Sequence, residues 1–208
     1  MRVYVARHGE TTWNLAGRYQ GRLESELSSL GARQAIALAD AMERANVGRV
    51  VSSPLRRCTA TARPAADRAG VPVETDERLI EIAHGTWEGR YRDELAANDP
   101  TRYRAWREDP AHVQFEHGEN IAQVLARWRD FAASFASQTP FLVVTHDAVV
   151  RVALVDATSR RLEDFWTTRV ENGAYAVFDV RGARWTLVEE CVADHLGALR
   201  APIEGQAL

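Results

Sequence analysis

Arg7, His8 and Gly9 stand where a short apolar run, Arg2-Val3-Tyr4-Val5-Ala6, comes to an end. An imidazole at the carboxyl end of an opening strand, with a guanidinium before it and a glycine after it, is placed to attack phosphorus. A phosphomonoester is a dianion, so a neutral nucleophile can approach it only where its oxygens are held and their charge is offset. Arginine does this best, because its planar fork gives two parallel hydrogen bonds and keeps its proton. The neighbouring positive charge also disfavours imidazolium, which leaves His8 nucleophilic near neutral pH. The competing reading of this segment is a strand-end histidine that only closes a loop.

Other segments supply partners for that chemistry. Ser52-Ser53-Pro54-Leu55-Arg56-Arg57 runs from a strand into a helix, where free amides favour an anion and Arg57 would project from the first turn as a second clamp. The alternative puts Arg56 and Arg57 on a solvated helix face, as is expected for one of the two. A leaving alkoxide needs a proton, and a carboxyl beside a bound phosphate has its pKa raised, so Glu81 suits the role of acid and then of base for water. Glu88 is the competing carboxylate and is expected to be structural. His146, after the run Val143-Val144-Thr145, can donate to a phosphoryl oxygen as charge builds up, or can simply satisfy backbone groups at a strand end. Phe115 to Asn120, including His117, is either part of a substrate wall or a helix-capping turn with Glu119 favouring the dipole.

Alternating strands and helices must position these residues. Val3 to Ala6, Arg49 to Ser52 and Phe141 to Thr145 read as strands, the first and last buried on both faces. Residues 29 to about 45 place Ala35, Ile36, Ala39 and Met42 on one helical face after a Ser28/Ser29 cap. Residues 119 to about 137 carry a stripe of Ile121, Val124, Leu125, Trp128, Phe131 and Phe135. A helix over 54 to 69 should be kinked or divided by Pro64, and another begins near Asp147 and runs to Ala157. Ala174 to Val180 and Trp185 to Glu189 form a hairpin around Gly182, along whose apolar edge a homodimer could form. Residues 83 to 118 break the rhythm and read as a cap inserted over the site, and the end of the chain, 195 to 208, as a loose tail.

Bulk properties narrow the function classes. The 208 residues fit one domain, and a formal charge of −3 with no cationic stripe argues against nucleic acid. Every basic residue is arginine. Cys58 and Cys191 form neither a disulfide framework nor a metal-ligand spacing, which fits a reducing, cytoplasmic setting. No membrane span or export pattern is evident.

Taken together, the blocks RHGETTWN, GRYQG, SSPLRRCTATA, EIAHGTWEG and VVTHDAVVR resemble the histidine phosphatase superfamily, also called phosphoglycerate mutase-like, over roughly residues 2 to 157. The resemblance implies an α/β fold, a three-layer α/β/α sandwich with a mostly parallel central sheet and a small cap insertion, and neither metal nor cofactor. It implies His8 as the phosphorylated nucleophile, Arg7, Arg57 and His146 as the rest of the phosphate pocket, and Glu81 as proton donor. Asn14, Gly21 and Thr11 match positions beside the phosphate, while Tyr91 and His117 are expected to reach the substrate. Asp147 stands where the family often has glycine, adding negative charge beside an anion pocket unless it turns away to cap the helix. The implied reaction is hydrolysis of a small phosphomonoester, with sugar or sugar-acid phosphates ahead of a ribazole phosphate. A phosphoglycerate mutase-type transfer and a non-catalytic phosphate-binding scaffold remain as alternatives. The interval from Glu81 to His146 is short for a mutase, and a scaffold would be expected to lose the nucleophile or the acid.

Overall fold

Strand residues alternate between two apolar faces, and each face collects its own helices. In the computed structural model, which describes residues 1–134 and 139–207, the strands are β1 (Arg2–Arg7), β2 (Arg49–Ser52), β3 (Val73–Thr75), β4 (Phe141–Thr145), β5 (Tyr175–Arg181) and β6 (Arg184–Val192). They form one sheet in the order β3-β2-β4-β1-β5-β6, parallel from β3 to β1 and antiparallel across β1/β5 and β5/β6. The helices are α1 (Thr12–Leu15), α2 (Ser29–Arg44), α3 (Arg56–Ala69), α4 (Arg92–Asn98), α5 (Pro100–Glu108), α6 (Ile121–Ser134) and α7 (Asp147–Thr158). Leu142, Val144 and Val50 pack with Leu38 and Met42 of α2 and with Ala62 and Ala66 of α3. On the other face Val3, Val5, Phe141 and Val143 pack with Val124 and Trp128 of α6 and Val149 and Val152 of α7. The result is the expected three-layer sandwich with a mixed sheet.

Several expectations need correction. Ile36 is 50% exposed, and Leu38 takes its place in the buried set with Ala35, Ala39 and Met42, the spacing of a single helical face. Pro64 does not divide α3. The carbonyl it leaves unpaired belongs to Ala60, an exposed residue whose oxygen water can satisfy. The short edge strand β3 carried no alternating signal. Phe135 lies outside the described residues.

The stretch 83–118 contains α4 and α5 and is tied to the loop after β1: Tyr19 and Arg90, Gly89 and Tyr19, and Arg92 and Gly17 exchange backbone hydrogen bonds of 2.8–2.9 Å. Leu95, Trp106 and Phe115 sink into the α6/α7-side core. The tail is docked rather than loose. Leu199 accepts from Gln34, Glu204 O accepts from Arg92, and Ala201, Gln206 and Ala207 are buried. Gly197, Pro202 and Gly205 signal irregular backbone, which these tertiary bonds hold in place. Among the described residues no helix is long and apolar enough to cross a membrane.

The turn leaving β1 is held by close backbone contact with the start of α2, whose Ser28 Oγ caps Gly31 N at 3.0 Å. A Cβ at Gly31 would lie 2.0 Å from the Glu10 carbonyl oxygen. Gly31→Ala should therefore lower stability by about 1–3 kcal/mol in urea unfolding, the usual cost of overpacking.

Candidate active site

Three neighbouring strands end together. The register pairs Arg7 with Thr145 and Ser52 with Val144, so His8, His146 and Ser53, each one step beyond its strand, meet at the carboxyl edge. Arg57 arrives from the first turn of α3. Glu81 follows a 3-10 turn, Glu77–Leu79, that crosses over from β3 and is fixed where Thr145 Oγ1 donates to the Leu79 carbonyl at 2.7 Å. Arg7, His8, Asn14, Gly21, Arg57 and Glu81 line one narrow cavity of about 20 Å³ free volume, together with Gln20, His84, Trp106, Asp147, Phe165 and Ala207.

His8 Nδ1 lies 2.7 Å from Gly9 O, so that nitrogen holds the proton and Nε2 presents its lone pair to the cavity. Burial, then Arg57 and Arg7, pushes the imidazole well below its ordinary pKa, which keeps it neutral. Arg57 donates Nη1 to Leu23 O at 2.8 Å, Nη2 to Gly21 O at 2.7 Å and Nε to His146 Nδ1 at 3.3 Å, so it both anchors the 21–23 loop and keeps two N–H groups for an anion. Gly21 accepts this geometry because its φ is +51°, and a Cβ there would strike the Glu88 carboxylate at 2.1 Å. Arg7 donates Nη1 to Val170 O at 2.8 Å and Nη2 to Gln206 Oε1 at 2.7 Å, while its buried Nε has no partner.

Glu81 is the buried carboxyl facing these cations. Burial, reinforced by the Asp147 charge, lifts its pKa to about 7 against the opposing pull of a hydrogen bond from Ile82 N and of Arg57. It can thus be protonated at neutral pH. Glu88 is elsewhere: its Oε1 accepts from Arg22 N at 3.1 Å and His84 N at 3.0 Å, a brace between loops.

The other expected residues divide. Asn14 holds Oδ1 against Thr11 N at 3.1 Å and Thr11 Oγ1 at 3.0 Å, which leaves its Nδ2 end for a ligand. His146 packs edge-on against His8, ring centroids 5.3 Å apart, but its Nε2 is 2.8 Å from Ser53 Oγ and its Nδ1 accepts a hydrogen bond from Arg57 Nε. Both nitrogens are engaged by protein groups, so the Nε2–H held on Ser53 is the donor a phosphoryl oxygen would have to recruit. Three residues are corrected. Thr11 is fully buried behind the cavity as the cap of α1. Tyr91 is 51% exposed and pairs with Arg18 through a bridge and a cation–π contact. His117 has 82% of its side chain in solvent beside Glu116. It belongs to the capping turn, in which Asn120 and Gln123 exchange reciprocal bonds at 2.9 Å.

Three contributors, His84, Gln206 and Asn172, escaped sequence reasoning, and the structure decides between the two readings of Asp147. Asp147 does not turn away: it faces the cavity, 2.6 Å from Arg151 Nε and 3.6 Å from Arg7 Nη1. His84 has both ring nitrogens buried without a partner at the cavity wall. Its place in the EIAHG block was the available signal. Gln206 and Asn172 had none: Asn172 Nδ2 donates to His8 O at 3.2 Å, its Oδ1 accepts from Gln206 Nε2 at 2.8 Å, and Gln206 reaches Arg7 across 199 positions of chain. Among the described residues no group of His, Cys, Asp and Glu is arranged to hold a metal ion.

The profile of the histidine phosphatase superfamily (branch 1) matches residues 3–192. Phosphoserine phosphatase 1 of Hydrogenobacter thermophilus is 32% identical over 200 residues, spanning 95% of each chain. The adenosylcobalamin/alpha-ribazole phosphatase of Salmonella typhimurium is 30% identical over 183 residues, 86% of this chain and 91% of that one. A solved mycobacterial glucosyl-3-phosphoglycerate phosphatase in complex with VO3 superposes with a TM-score of 0.85 at 30% identity, covering 92% of this chain and 99% of the other. This chain belongs to branch 1 of the histidine phosphatase superfamily and is a phosphatase of that type.

Proposed function

We propose that the protein hydrolyses a small phosphomonoester through a phosphohistidine intermediate, without a metal. The observation that carries this reading is the His8 ring, whose Nδ1–H is tied to Gly9 O while Nε2 faces a cavity walled by Arg7, Arg57 and Glu81. Nε2 attacks phosphorus, the bond to the leaving oxygen breaks, and Glu81 gives that oxygen its proton. Water then attacks the phosphoryl group, Glu81 takes the proton back, and the phosphorus–nitrogen bond breaks to restore His8. Arg7 and Arg57 hold the equatorial oxygens throughout. Asn14 Nδ2 and the His146 proton complete the donor set.

For the substrate we favour a phosphorylated sugar or sugar acid. The similarity to enzymes named for phosphoserine, glucosyl-3-phosphoglycerate and alpha-ribazole supports a small metabolite. His84, whose two ring nitrogens are buried and unpartnered, lines the cavity beside Trp106. The capping turn and Tyr91 are left out of the binding surface.

With an alkyl substrate such as glycerol phosphate, His8→Ala should abolish both turnover and acid-labile protein-bound phosphate, whereas Glu81→Ala should slow turnover roughly 10²–10⁴-fold with little change in binding. Full activity in the His8 variant, read by phosphate release, would refute the assignment.

The pH dependence has a defined sign. Glu81 must be protonated to act as acid, and its pKa of about 7 means that form is lost as pH rises through that value. The kcat/KM for glycerol phosphate should fall on the alkaline side of about 7, and Glu81→Ala should flatten the profile.

Burial also silences the imidazoles. His8, His146 and His84 are all lowered by desolvation, while the exposed His112 is raised by Asp109. Imidazole NMR between about pH 5 and pH 8 should show His112 titrating and the three buried rings unchanged.

A further inference from the structure

Glu81 sits in a stretch without helix or strand, 81–84, so its carboxyl is only as fixed as the bonds that hold that backbone. Upstream, Thr145 Oγ1 holds Leu79 O, and Arg127 Nη1 donates to Arg78 O at 2.7 Å. Downstream, Glu119 takes both polar groups of Ala83. Its own N–H donates to Ala83 O at 2.8 Å, and its Oε2 accepts from Ala83 N at 3.0 Å.

Glu119 stands two residues ahead of α6 and Arg127 lies within that helix, which is packed into the core through Val124 and Trp128. The two side chains meet. Arg127 Nε lies 3.2 Å from Glu119 Oε1 and Nη2 3.3 Å from Oε2, with 14% and 16% of the side chains exposed. A two-pronged, mostly buried pair fixes geometry where an exposed one would not. Arg22 Nη2 approaches the same Oε1 at 3.1 Å from the 21–23 loop, whose Gly21 and Leu23 carbonyls hold Arg57.

We infer that Glu119 is a positioning residue for the proton donor: with Arg127 it holds the 78–83 backbone so that the Glu81 carboxyl faces the ester oxygen. This rests on the reading of Glu81 as the acid of a phosphomonoester hydrolase. Glu119 does not line the phosphate cavity, so it acts through the backbone that bears Glu81. An effect routed instead through Arg22 to the phosphate clamp would fall on every ester alike.

Leaving-group dependence tests the role, because p-nitrophenolate departs without a proton and an alkoxide does not. Glu119→Ala should lower kcat/KM for glycerol phosphate at least about tenfold more than kcat/KM for p-nitrophenyl phosphate, a weaker form of the bias expected of Glu81→Ala. Glu119→Gln keeps the shape but offers one acceptor oxygen where Glu119 uses two. It should show the same bias to a smaller degree, and it decides alone if the Ala variant does not fold. Equal losses on the two esters, or no loss, overturn the proposal.

Amide hydrogen exchange read by NMR gives a measure independent of turnover. In either folded Glu119 variant the Ala83 amide should exchange at least about tenfold faster than in wild type, and unchanged exchange overturns the proposal. If wild type is inert toward both esters, or Glu81→Ala shows no bias between them, the hydrolase or acid reading itself fails. If Glu81→Ala shows the bias and the Glu119 variants do not, only the positioning role fails.

Discussion

Two guanidiniums, those of Arg7 and Arg57, are buried to 1% and 0% exposure at the end of the sheet, and the rest of the site follows from that constraint. A buried cation costs several kcal/mol unless its protons are satisfied. Here main-chain carbonyls of Gly21, Leu23 and Val170 and the Gln206 amide meet part of that need, while the buried Nε of Arg7 has no partner. Such acceptors orient the forks without cancelling their charge. The field that remains, in a dry cavity, suits a phosphate dianion and works against protonation of the imidazoles beside it. Anion binding and nucleophile activation are one electrostatic arrangement.

Asp147 balances that field. It stands within ion-pair distance of both Arg7 and Arg151, and the same charge raises Glu81. A bound phosphate would act on Glu81 in the same direction, so the acid stays protonated in the loaded site. The carboxylate at the start of α7 thus ties the phosphate cavity to Arg151.

Support for the nucleophile loop comes from a chain of amides. Gln206 holds Asn172, which reaches both the His8 carbonyl and Asn14, whose amide oxygen is in turn gripped by Thr11. Each side chain in the chain has at least one partner within it, and the Nδ2 end of Asn14 is left over. Thr11, Gln20 and Ser25 continue it toward the 21–23 loop that Arg57 anchors. Loop position and guanidinium orientation are therefore set together.

Strand and helix periods, and residues of recognisable type at strand ends, were readable from the chain alone. His8, Arg57 and Glu81 could be named because a nucleophile, a phosphate clamp and a proton donor each need a particular functional group next to a particular backbone feature. Thr11 was misplaced because a matching block says nothing about which way a side chain turns, and Tyr91 because a place in the cap says no more; one capping bond and one cation–π contact decide them. Ile36 failed for a similar reason, since an apolar residue off the buried arc stays in water. Sequence by itself determined the fold class and the groups proposed to react, through periodicity and local chemistry. Only the tertiary structure decided that Asp147 faces inward and that Gln206 from the docked tail closes on Arg7, because those outcomes rest on contacts between segments as much as 199 positions apart, which leave no local trace.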